Sequence, residues 1–180
     1  MDYLSAFSVW SWSNSALGAF HLYAALVALA VGPFVFFRRK GDIPHRLFGM
    51  VYVIAMYTTN ISALSLYDFT GGWNYFHTFA VANLITLTIG FTAIVIYGAR
   101  PSRLALDTHL QMMPWSYLGL VLAAITEGVV RAFPGIPAGV SPTQMWQIIL
   151  AVVVGSCVVG MVVTFYLLAP VRRRWIKTSE

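Results

Sequence analysis

The sequence predicts an all-α integral membrane protein with five transmembrane helices, an outside N-terminus and a four-helix bundle core. Three observations predict it. Hydrophobic residues make up 59% of the 180-residue chain and charged residues only 9%. A soluble domain carries about 25% charged residues, so this chain has too few to cover a water-facing surface. Five apolar stretches each reach the roughly 20 residues that a bilayer crossing takes. The basic residues gather almost entirely on one side of those stretches.

The first span runs from about Ser15 to Phe37, the second from about Pro44 to Tyr67 and the third from about Trp73 to Gly98. The fourth runs from about Leu106 to Val130 and the fifth from about Thr143 to Pro170. Lipid cannot satisfy an open backbone, so each span must be helical. Pro33 and Pro114 are tolerable kinks there. Residues 1–180 read as a single membrane domain, since one compact unit is enough for this length. Its histidine-bearing core is expected at about 15–130, with the fifth helix added at about 143–170.

Orientation follows from the charges. Arg38, Arg39, Lys40 and Arg46 flank the first connection, Arg100 and Arg103 lie in the third, and Arg172, Arg173, Arg174 and Lys177 are in the tail. Only Arg131 falls on the other side, so ten of the eleven basic residues agree. The positive-inside rule then sets the C-terminus inside. The net charge of +5 is thus a topology signal, and nucleic acid is not expected as a partner. Trp10, Trp12, Trp73, Trp146 and Trp175 stand near the interfaces, as an aromatic belt would. The start, "MDYLSAFSVWSWSNS", lacks the basic region and compact apolar stretch of a cleavable signal peptide. Cys157 is the one cysteine, so no disulfide forms within the chain. There is no Walker loop, dinucleotide fingerprint, His-Glu-x-x-His or Cys-x-x-Cys motif, which removes the main signatures of nucleotide hydrolysis and zinc proteolysis.

The four histidines carry the chemistry. His21 and His77 fall in the outer halves of the first and third spans, and His45 and His109 at the inner ends of the second and fourth. Each pair comes from alternate helices, which are diagonal neighbours in an up-down bundle. A bis-histidine haem needs that geometry, with one imidazole on each axial position. Imidazole suits zinc or copper as well, and a histidine at a helix end also caps or snorkels. Ionisable residues inside spans are nonetheless rare and usually functional. Small residues support close packing: Ala24, Ala25, Ala28 and Gly32 recur from His21, and Gly49 follows His45 by one turn.

Glu127 lies eighteen residues after His109, five turns on and so on the same face. It is a candidate proton relay or quinol contact, or a partner for Arg131 four residues on. Ser116 also shares the His109 face and is expected to bond a backbone carbonyl. Asn60 is a candidate link between helices, Asp107 a helix-start residue favoured by the dipole, and Met112 and Met113 are candidate iron ligands, though methionine in an apolar helix is usually filler.

His21, "KGDIPHRLFG", "FHTFAVANL" and "HLQMMPWSYLGL" resemble a bacterial family of predicted membrane proteins, domain of unknown function 2306, over about Ala16 to Glu127. More distantly, the histidine order is similar to the cytochrome b561 type, whose four helices hold two b haems. The resemblance implies a multi-pass protein of the bacterial inner membrane and a transmembrane electron-transfer oxidoreductase. It would hold two haem b groups and exchange electrons with a quinol or a small redox partner. His21 and His77 would hold the outer haem, His45 and His109 the inner, and Arg46 with the Arg38–Lys40 cluster would neutralise propionates, which arginine forks suit. Two alternatives stand beside it: a histidine-based zinc or copper protein using Glu127, and a non-catalytic assembly subunit. The lipid bilayer is a partner in every case, and a homo-oligomer is compatible with each.

Overall fold

A computed structural model describes residues 15–67 and 72–132, with scattered positions from 141 to 162. The chain divides into two compact units, Met1–Ala132 and Phe133–Glu180, and the first holds the long helices. These are α1 (Ala16–Phe37), α2 (Ile43–Ala63), α3 (Tyr75–Ala99) and α4 (Arg103–Ala132). No strand occurs among the described residues. The expected fifth span, about Thr143 to Pro170, lies outside the described residues apart from isolated positions. Of the four helices, α1 and α3 are long and apolar enough to cross a membrane. The expectation of five such helices is therefore met only in part. The interiors of α2 and α4 are more polar than the sequence reading allowed for.

Each helix begins where a side chain accepts the first free backbone N–H groups. Ser15 caps α1 through the Gly18 amide at 3.0 Å. Asp42 caps α2 through the His45 amide at 2.7 Å, with Pro44 in the first turn. Asn74 caps α3 through the Phe76 amide at 2.9 Å, and Ser102 caps α4 through the Ala105 amide at 3.1 Å. Before Asp42 the chain turns at Gly41, whose φ of 81° suits glycine.

α1 packs on α2, α3 on α4, α2 on α3 and α1 on α4. The helices thus form a ring in chain order, with α1/α3 and α2/α4 as its diagonals. Short connections over 38–42 and 100–102 fold each pair back on itself.

The packing inverts the habit of a water-soluble bundle. On α1 the buried residues are Ala28, Gly32 and Val35, while Phe20, Leu26 and Phe34 are exposed. On α2 the buried face includes Thr59, Asn60 and Ser62. Its opposite face shows Leu47, Ile54 and Ile61, seven residues apart and 62%, 59% and 57% exposed. A stripe this apolar facing outward belongs in lipid, where small residues at the helix contacts let backbones approach closely.

Gly32 makes such a contact. A Cβ there would overlap the ring of Tyr117. The ring lies against α1, and its hydroxyl donates to the Leu29 carbonyl at 3.1 Å. Tyr117 also packs at 5.3 Å from the Phe36 ring and 6.3 Å from Tyr52. Across the α2/α4 diagonal, the Tyr52 and Ser116 hydroxyls are 2.9 Å apart. Ser116 spends its single proton on the Met113 carbonyl at 2.7 Å, so Tyr52 is the donor. Both residues are fully buried.

Candidate functional site

His45 and His109, the pair expected on the inner side, stand where the first and third connections meet the bundle. His45 is the third residue of α2, its amide fixed by the Asp42 cap. Its Nδ1 is buried without a partner. A carbonyl only accepts, so an imidazole nitrogen that bonds one must carry the proton. His109 Nδ1 lies 3.0 Å from the Gly90 carbonyl on α3. The same logic puts its proton on Nδ1 and its lone pair on Nε2. His45 and Lys40 both act electrostatically on His109, which places the inner pair and Lys40 in one neighbourhood.

Lys40 folds back over the end of α1, donating to Val35 O at 3.1 Å and Phe36 O at 2.7 Å. Burial pushes its ammonium below its ordinary value. Arg46 donates from Nε to the Gly41 carbonyl at 3.0 Å, and Arg38 pairs with Asp42 at 3.3 Å. Beside Gly49, one turn after His45, there is open space.

The outer histidines differ from each other. His21 Nδ1 lies 3.0 Å from the Thr59 carbonyl and 3.0 Å from Ser62 Oγ, both on α2. Ser62 donates within its own helix, to Thr58 O at 2.7 Å. His21 therefore carries its proton on Nδ1. His77 does the reverse. It is 1% exposed, and its Nδ1 accepts the Asn74 amide at 3.2 Å, closing a reciprocal capping box at the start of α3. Its Nε2 is buried without a partner. The neutral ring must carry its proton there. The Tyr67 ring stacks at 4.8 Å and the Trp73 ring at 5.1 Å.

These protonation states test fit to a metal. Ligating histidines donate the far N–H to a carbonyl or carboxylate and coordinate through the other nitrogen. His109 and His21 each have Nδ1 on such a carbonyl, and His45 has a buried Nδ1 without a partner. His77 differs, because one nitrogen is an acceptor in the cap and the other bears the proton. Among the described residues no three His, Cys, Asp or Glu side chains converge as a metal site.

The model of the predicted membrane protein family DUF2306 matches residues 18–168. The chain belongs to this family. No curated protein and no solved structure matches, so the resemblance to cytochrome b561 has no match behind it. The DUF2306 region contains all four histidines and Glu127.

Other expected residues of this DUF2306 chain fall as follows. Glu127 is partly buried in the last turns of α4, and the Arg131 side chain lies outside the described residues. Ser116 bonds the Met113 carbonyl. Asn60 turns back to Met56 O in its own helix at 2.7 Å rather than linking helices through that amide. Asp107 lies in the second turn of α4, and Met113 is buried in the core with Leu87. Sequence reasoning missed Gly90, Val35, Tyr67 and Trp73. Gly90 had a readable signal, a glycine inside an apolar helix, which often marks close backbone approach.

Proposed function

We propose that this DUF2306 chain is a multi-pass protein of the bacterial inner membrane, with five spans and the N-terminus outside. Its inner pair, His45 and His109, holds one haem b and makes it a small transmembrane electron carrier. The observation that carries this reading is the unpartnered, buried Nδ1 of His45 in the neighbourhood of His109, on the diagonal helix. The His109 Nδ1–H is engaged by the Gly90 carbonyl, which leaves Nε2 as the nitrogen that would hold the iron. Haem, when bound, supplies a one-electron couple tuned by its axial imidazoles and burial.

The chain's own residues do the rest. Gly90 holds the His109 imidazole in its tautomer. Lys40 and Arg46 bring positive charge to the edge where propionates would lie. Two donors on facing helices suit the two axial positions of a haem better than a closed zinc site, which takes four ligands. A second haem at the outer pair does not fit the donor set, since His77 has no lone pair left to give. One haem per chain is therefore the reading, with a quinol or small redox partner exchanging electrons with it.

The test is an absorption spectrum of the full chain purified from haem-replete cells. One bis-imidazole haem per chain is expected. His45→Ala and His109→Ala should each remove the Soret band, and His77→Gln should keep it. No haem in the wild type overturns the reading.

A further inference from the structure

The outer end of the bundle holds a second polar group that the haem reading does not use. We infer that His77 Nε2–H is the recognition donor for a carbonyl oxygen on a lipid-soluble molecule, either a quinone-type ring or a glycerolipid ester.

His77 is 1% exposed, and its Nε2 is buried without a partner. Buried donors are nearly always bonded, so an acceptor belongs there. The Asn74 amide occupies Nδ1, which fixes what His77 can do. Nδ1 has no lone pair left for an ammonium group or a metal ion. Nε2–H can only donate.

Two rings stack on the imidazole, Tyr67 at 4.8 Å with 28° between planes and Trp73 at 5.1 Å with 29°. The N–H lies in the ring plane, so a ligand reaches Nε2 edge-on. Tyr67 and Trp73 are themselves 45% and 63% exposed, so the walls of the site reach the interface, where such amphipathic rings settle. Every described basic side chain lies at the other end of the helices, in the connections after α1 and α3 or the first turns that follow.

Nothing in this depends on haem. The test uses the full chain, labelled with 15N-histidine, in an ester-free maltoside detergent. The probes are a short-tailed benzoquinone and, separately, a short-chain diacyl phosphatidylcholine. Among the four histidines, His77 should show a bare Nδ1 and a protonated Nε2. Its Nε2–H resonance should move saturably with one of the probes, and the probe that moves it identifies the source.

Two substitutions separate binding from folding. His77→Gln keeps both the capping acceptor and an N–H donor, and should retain binding. His77→Glu keeps the capping acceptor, as glutamate does at this position, but loses the donor. It should melt near the wild-type temperature and bind at least about tenfold more weakly, as loss of one such bond implies. An Nδ1–H tautomer at His77 would overturn the inference. So would a resonance moved by neither probe, showing water alone, or undiminished binding by a folded His77→Glu protein.

Discussion

His109 keeps its Nδ1 3.0 Å from the Gly90 carbonyl oxygen, and that bond exists because Gly90 has no side chain. A Cβ at Gly90 would stand 2.9 Å from Met112 Cβ and 3.1 Å from Met113 Sδ. The contact that seats α4 on α3 thus also sets the tautomer of His109.

Gly90→Ala should push α4 outward and lengthen the His109 bond. Overpacking of this kind costs about 1–3 kcal/mol. Thermal melting in detergent should show the loss. 15N spectra of the same protein should show His109 with a mixed tautomer. An unchanged tautomer would separate packing from imidazole orientation.

Gly32 and Tyr117 form a second close contact. Gly32→Val should destabilise by about 1–3 kcal/mol, because the new side chain occupies the space of the ring. Tyr117→Ala should also destabilise, since it empties the ring's place and frees the Leu29 carbonyl. In the double variant the two losses should be clearly less than additive, as for residues in contact. Simple additivity would show that the ring does not rest on Gly32.

The diagonal bond between Tyr52 and Ser116 is expected to contribute about 0.5–1.5 kcal/mol, the usual net worth of a hydrogen bond. Tyr52→Phe removes the donor and leaves Ser116 bonded to Met113. Its unfolding midpoint in mixed micelles should fall accordingly. Ser116→Ala should cost more, because it leaves the buried Tyr52 hydroxyl without an acceptor.

Lys40 predicts a pH dependence. Burial lowers its pKa below 10.5, so the unfolded chain binds more protons than the folded chain between the two values. Stability should therefore rise with pH across that window, up to about 10.5, and the penalty of the buried ammonium should be fully present below it. The informative quantity is the wild type minus Lys40→Met difference against pH, which cancels the tyrosines. A flat difference would mean that Lys40 is solvated in solution.

Topology is open to labelling. Single cysteines at Ser5 and Ser179, in a Cys157→Ser background, should react from opposite sides of sealed vesicles if the chain crosses five times. Reaction from one side would require an even number of crossings.

The sequence by itself determined the class of solvent and the approximate course of the four described helices, since composition and run length exclude a water-facing bundle. The caps Ser15, Asp42, Asn74 and Ser102, which act on amides two or three residues away, came with the structure. The sequence also groups His45 with His109 as an expectation, since alternate helices bring the same end of the bundle back together. What each imidazole can do was decided only by tertiary structure. His21 turns to Thr59 and Ser62 and His109 to Gly90, while His45 keeps a buried Nδ1 without a partner. Every residue carries a carbonyl, so no residue type announces which one a ring will meet. His77 looked equivalent to the others in sequence, yet its local cap takes the nitrogen that would otherwise have carried the proton. A proton has one place on a neutral imidazole, and which neighbour claims the other nitrogen depends on how closely two backbones approach.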